Sequence, residues 1–162
     1  MHTLRLICLL LAAAAAANAQ SMIYLGAGPS IHSDLPYGAA NVTLGLCTSD
    51  TSTCAMLNYQ ARGSSLAPST LEYRSSAGVR QVVGSAWGPA GHVDLFLLGD
   101  AGATIAASAT GFSGAGGGGL TVHLTRFPAW SASIAAQAEY SQVNPGWRPQ
   151  VFVQLGYLFK GR

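Results

Sequence analysis

From Trp130 the even positions of the chain read Trp130, Ala132, Ile134, Ala136, Ala138 and Tyr140, while the odd ones read Ser131, Ser133, Ala135, Gln137, Glu139 and Ser141. Successive side chains of a strand point to opposite sides, so strict period-two alternation predicts an extended segment with one apolar and one polar face. Leu120, Val122 and Leu124 alternate in the same way with Thr121, His123 and Thr125. So do Val151, Val153, Leu155, Tyr157 and Phe159 with the residues between them. Three consecutive strands therefore share one design.

The polar face decides what surrounds them. In a soluble sandwich it would carry lysine and glutamate, but here it carries Ser, Thr, Gln and Gly, and the whole chain holds one lysine, Lys160. Aromatic residues bracket the apolar runs, Trp130 and Tyr140 on one strand, Tyr157 and Phe159 at the end of another. That bracketing is expected where strands cross two membrane interfaces. The apolar face reads as lipid-facing and the polar face as a lumen.

Residues 1–19 read as a cleavable signal peptide. Arg5 gives the positive start, Leu6 to Ala17 the apolar core, and Ala17-Asn18-Ala19 the cleavage pattern, so the mature chain is expected to begin at Gln20. Residues 20–162 then form one domain. The formal net charge is +2 for the full chain, and no basic patch points to nucleic acid.

Turn signals divide this domain into eight expected strands. The first runs from about Met22 to Gly28 and ends in a loop from Pro29 to Tyr37. The second (about Ala39 to Cys47) and third (Cys54 to Arg62) flank a polar turn, Thr48 to Thr53. Gly63 to Ala77, rich in serine, reads as a long polar loop, with a strand extension beyond the membrane over Thr70 to Arg74 as the alternative. A fourth strand falls between Val79 and Trp87, with ambiguous parity because Val79, Val82 and Val83 do not alternate.

Trp87 to Gly91 reads as a tight turn. The fifth strand starts near His92, with Asp94, Phe96, Leu98, Asp100 and Thr104 on its polar side. Ala107 to Ala115 reads as a loop before a sixth strand at Gly116 to Thr125, whose glycine run would start the strand and leave lumen space for larger neighbours. Short connections alternating with long ones match the short periplasmic turns and long outer loops of an outer-membrane barrel.

Several motifs resemble a known family: Gly116-Gly117-Gly118-Gly119-Leu120-Thr121-Val122, then Ala136-Gln137-Ala138-Glu139-Tyr140, then Val153-Gln154-Leu155-Gly156-Tyr157-Leu158-Phe159, with Leu97, Gly99, Ala101 and Gly102 in the fifth strand. Together these resemble the closing strands of the small eight-stranded outer-membrane barrels, the outer-membrane protein A transmembrane domain and its OmpX-like relatives. The resemblance covers roughly the last 70 residues. It implies an all-β, eight-stranded, antiparallel up-and-down barrel in the outer membrane, in contact with outer-membrane lipid. It also implies insertion by the barrel-assembly machinery, which would read Gly156, Tyr157 and Phe159. In two respects the chain departs from the pattern: it continues past Phe159 with Lys160-Gly161-Arg162, and no peptidoglycan-binding domain is expected after it.

The charged residues expected in the lumen are Arg62, Asp94, Asp100, His123 and Glu139, with Arg80 available to balance them. They read as a paired structural network, with no cofactor. The alternative reading is a lipid A-modifying deacylase or acyltransferase, for which His92 with Asp94, or His123 with Glu139, would supply the chemistry. A third reading is a secreted soluble β-barrel or sandwich that binds a ligand. A metal site is not expected, since His32, His92 and His123 lie on different segments without ligand spacing. Gly114-x-Gly116-x-x-Gly119 matches a dinucleotide fingerprint only if a helix follows, and the alternation beyond it predicts a strand. Gly111 to Ala115 likewise lacks the strand-to-helix turn of a nucleophile elbow.

Cys47 and Cys54 are the two cysteines left after signal removal, in a chain read as exported to an oxidising compartment. Pairing them across the second and third strands also places Gly45 against Met56, Thr43 against Asn58 and Asn41 against Gln60 on the lumen side. Leu46 and Leu44 then meet Ala55 and Leu57 on the lipid side, so bridge and hydrophobic pattern agree. The closed loop is short, and the bridge should contribute somewhat under the roughly 3 kcal/mol of a 15-residue loop. The unfolded, unreduced mature protein should show no reactive thiol, and two per chain after reduction; two before reduction would exclude the bridge.

Overall fold

The computed structural model describes residues 22–32, 39–64, 67–88 and 91–160. The expected signal peptide lies outside them. Eight antiparallel strands run in chain order: β1 (Met22–His32), β2 (Ala39–Cys47), β3 (Thr53–Ser64), β4 (Ala67–Gly88), β5 (Gly91–Ala106), β6 (Ala109–Leu124), β7 (Trp130–Ser141) and β8 (Trp147–Lys160). Each strand pairs with the next, and β8 returns to β1, setting Ile23 opposite Phe159 and Ala27 opposite Leu155. The sheet is a closed barrel with an up-and-down topology.

Alternation assigns the faces as expected. Leu25, Leu44, Leu57, Val79, Leu95, Leu97, Leu120, Ile134, Val153 and Leu155 are exposed on the outside, whereas Thr43, Gln60, Asp94, Thr121, Ser133 and Gln154 are buried within. Aromatic side chains ring both ends of the apolar band. At one end Trp130 packs edge-on against Tyr157, which packs against Phe159; at the other Tyr59 stacks with Tyr73 and Tyr140 leans on Trp147. From Trp130 to Tyr140 is roughly 34 Å of strand at about 3.4 Å per residue. At the usual tilt of about 35–45°, that spans a band of about 24–28 Å, the height of the apolar belt on a transmembrane barrel.

The β2–β3 register is the one the disulfide argument requires: Cys47 opposes Cys54, Gly45 Met56, Thr43 Asn58 and Asn41 Gln60. The bridge is formed. In the turn between them Asp50 accepts hydrogen bonds from the Thr48 hydroxyl and from Ser52, which hold its carboxyl below the ordinary aspartate range.

The expected long loops are corrected. Most of Gly63 to Ala77 is strand, because Glu72, Arg74 and Ser76 alternate with Tyr73, Ser75 and Ala77 and pair with β3 and β5. The abundant serines hide that alternation when polarity alone is read. β5 continues to Ala106 and β6 begins at Ala109, so Ala107 to Ala115 is a two-residue turn followed by strand. β1 also continues past Gly28, through Pro29 to His32; the remainder of the expected Pro29 to Tyr37 loop lies outside the described residues. The unequal connections are therefore long hairpins, not irregular loops.

The ambiguous parity of the fourth strand has a physical origin. A bulge between Val82 and Gly84 inserts a residue, so that Arg80 faces inward before it and Ser85 faces inward after it, opposite Asp94. The Gly116 to Gly119 run lies within β6 and does not start the strand. A Cβ on Gly117 or Gly119 would strike the β7 backbone at Ala136 or Ile134, 2.1 and 2.2 Å away. Their partners Leu98 and Phe96 fill the interior beside them, in keeping with the expected space for larger neighbours.

Arg placed at Ile134, midway along β7 on the outer face, should cost roughly 2–4 kcal/mol of folding stability in a lipid bilayer. Arg at Phe159, in the aromatic ring at one end, should cost only about 0–1 kcal/mol. Urea titrations in vesicles check this: equal costs would contradict a hydrocarbon-facing band.

Candidate functional site

The interior divides into three regions along the barrel axis. At the end that carries the long hairpins, Arg62 extends from β3 and Glu139 from β7, neither side chain showing exposed surface. Arg62 donates through Nη1 and Nη2 to the two Glu139 carboxylate oxygens at 3.2 and 2.6 Å, and its Nε lies 3.2 Å from Glu72 Oε2. Arg148 and Asn144 also donate to Glu72, and Gln150 donates to Glu139. Three strands, β3, β4 and β7, are thus joined through one planar guanidinium, whose fork matches carboxylate geometry, and β8 joins them through the two carboxylates.

Next along the axis Arg74 binds Asp100 and donates from Nε to Ser113 Oγ at 3.1 Å. Asn58 reaches Asp100, and Gln154 links Asn41 and Thr43. A cavity of about 40 Å³ lies here, lined by Tyr24, Arg80, Phe96, Asp100 and Gln154 among others. Arg80 crosses it, donating to Thr121 at 2.9 Å with its guanidinium 4.3 Å from the centre of the Phe96 ring.

At the short-turn end the β5–β6 register sets His92 opposite His123. Asp94, two residues along β5, faces the same way. His123 Nε2 lies 2.9 Å from Asp94 Oδ2 and His92 Nε2 3.3 Å from Asp94 Oδ1, while Ser85 donates to Oδ1 at 2.6 Å. The Ser85 hydroxyl is bound to the carboxylate and not to an imidazole, so this arrangement contains no serine poised beside a histidine base.

All five expected network residues face the interior, but they form two groups. Arg62, Glu139 and Asp100 belong to the long-hairpin half; Asp94 and His123 belong to the other. His123 and Glu139 do not meet: on β7 His123 opposes Ser131, eight residues from Glu139, or roughly 27 Å of strand. Arg80 is in the interior, bonded to Thr121 and to no carboxylate among the described residues. The reading of the histidines as lacking ligand spacing is corrected for two of them, since His92 and His123 are distant in sequence and adjacent in the sheet; the His32 side chain lies outside the description.

Sequence reasoning gave Glu72 and Arg74 no interior role, reading their stretch as a loop with strand over Thr70 to Arg74 as the alternative that β4 bears out, and it missed Arg148 by stopping short of the β8 start. Asn41, whose Asn41-Val42-Thr43 context matches an N-glycosylation pattern, is buried inside the barrel. Ser113 and Gly114 lie in mid-strand, away from any strand-to-helix turn. Gly156, read as part of an assembly signal, has a packing role as well: a Cβ there would meet the Tyr24 ring at 2.3 Å.

With this geometry, the chain matches the N-terminal β-barrel domain of OprF from Pseudomonas aeruginosa, with a TM-score of 0.59 at 10% identity over 88% of this chain and 98% of that one. The fold is that of an eight-stranded transmembrane β-barrel. Lower similarity links the barrel to a de novo designed transmembrane β-barrel (TM-score 0.49, 14% identity, 88% of this chain, 97% of that chain). The same holds for Ail, the attachment invasion locus protein of Yersinia pestis (TM-score 0.45, 16% identity, 88% and 99%). No family model and no curated protein matches the sequence.

Within the barrel, Arg62 and Glu139 are mutually dependent. Glu139→Ala leaves a buried guanidinium short of one partner and should lower stability by about 3–5 kcal/mol, whereas the double change Arg62→Met, Glu139→Leu should restore much of it. Unfolding titrations of both variants measure the difference.

Proposed function

We propose that the protein is an outer-membrane barrel with a structural or surface-interaction role and a filled interior, not a general porin. The observation that supports this most directly is the crossing of the interior by the Arg62–Glu139–Glu72 and Arg74–Asp100 groups, with a cavity of only about 40 Å³ between side chains. Barrels of eight strands have interiors that side chains fill. On this reading the long β3–β4 and β5–β6 hairpins stand on the cell surface, and the short turns, the start of β1 and the end of β8 face the periplasm. Outer-membrane lipid covers the apolar band, and the assembly machinery recognises Gly156, Tyr157 and Phe159 on β8. A surface partner would be met by the hairpins.

The decisive experiment is reconstitution of the mature protein in planar bilayers alongside fractionation of expressing cells. The protein should sediment with the outer membrane, require detergent to stay folded and show no large, steady porin-like conductance. Such a conductance would refute the filled interior, and a detergent-free folded monomer would refute the membrane location. A lipid A acyl-chain profile by mass spectrometry should be the same with and without the protein; a loss or gain of an acyl chain would favour an enzyme.

A further inference from the structure

We infer that His92, Asp94 and His123 form a binding site for a divalent transition-metal ion of the zinc class at the short-turn mouth of the barrel. Each residue presents one ligand atom, and the three atoms lie within 4.8 Å of one another. A zinc ion with ligands at about 2.0–2.2 Å in tetrahedral arrangement separates neighbouring ligand atoms by about 3.3 Å. His123 Nε2 lies 2.9 Å from Asp94 Oδ2 and His92 Nε2 3.3 Å from Asp94 Oδ1, so each imidazole already stands at about that separation from one carboxylate oxygen. Coordination of one ion requires the three ligand atoms to draw together from a spread of at most 4.8 Å.

The carboxylate of this site is held differently from the others in the interior, with Arg80 near enough to feel its charge but not in contact with it. Glu72, Glu139 and Asp100 each have an arginine partner, whereas the direct ion partners of Asp94 are the two imidazoles. Arg80, the nearest lumen arginine in the register, is directed to Thr121. Two imidazoles and one carboxylate suit zinc, nickel or copper; calcium and magnesium select oxygen ligands. Ser85 supplies the outer hydrogen bond that orients a ligating carboxylate. Both histidine side chains are partly open, at 33% and 18% exposed, while Asp94 is buried, so an ion can enter from the mouth and keep water in its fourth position.

Trp87 provides an internal reporter, since its ring stacks on His92 at 5.0 Å between centroids. The test uses untagged mature protein folded in detergent, titrated with zinc chloride by calorimetry and with copper(II) by tryptophan fluorescence. About one zinc per chain should bind, and copper should quench an emission component that Trp87→Phe removes and that prior zinc protects. His92→Ala, Asp94→Asn and His123→Ala should each weaken binding more than about tenfold, and Ser85→Ala by roughly 10–100-fold. His32→Ala should bind as the unaltered protein does.

If a ligand variant fails to fold, the unaltered protein still decides, because saturating zinc should raise its unfolding midpoint and shield Trp87 from copper. Binding unchanged in the His92→Ala, His123→Ala double variant would overturn the site. So would binding below one fifth of an equivalent, or quenching that does not involve Trp87.

Discussion

Closure of β8 onto β1 is the constraint from which the rest of the structure follows. In hydrocarbon no water satisfies an exposed backbone N–H or carbonyl, and each one left open costs several kcal/mol, so a sheet survives there only as a ring without edges. Once eight strands are closed, the period-two side chains have two destinations. The outer set forms an exposed band that is largely apolar, Ile23, Leu44, Leu95, Ile134 and Phe159 among it; the inner set is enclosed and must satisfy itself.

That inner demand explains how so few charges are arranged. Arg62, Arg74, Arg80 and Arg148 share the interior with Glu72, Glu139, Asp94 and Asp100, four of each sign. An unpaired charge in a narrow, partly dry interior would be costly, and pairing across strands offsets that cost while tying together elements far apart in the chain. Arg62 on β3 is bound to Glu72 on β4 and Glu139 on β7. Small residues elsewhere make this filling possible: Gly117 and Gly119 let β6 approach β7, and Gly156 admits the Tyr24 ring.

The two ends are built differently. The long-hairpin half holds fixed, fully paired ions. The short-turn half holds Asp94 between two imidazoles, with the β4 bulge turning Ser85 toward the carboxylate. In an unbulged strand of the same sequence Ser85 would fall opposite Val93 on the outer face, and Asp94 would lose its hydroxyl partner.

What the sequence by itself determined was the strand periodicity, the sign of each face on every strand but β4, the number of strands and the Cys47–Cys54 register. These depend on local alternation and on neighbours joined by a short turn, so they are written in contiguous residues. Strand lengths were only half legible: the serines of β4 and the glycines of β6 carry little hydrophobic contrast, and hairpins extending past the apolar belt need none. The partnerships inside the barrel were decided by tertiary structure alone. His92 meets His123, and Arg62 meets Glu139, because of sheet register and ring closure, which bring together side chains on strands separated by tens of residues. The residues could be assigned to the interior from parity, but their pairing depends on position along the axis, which alternation does not encode.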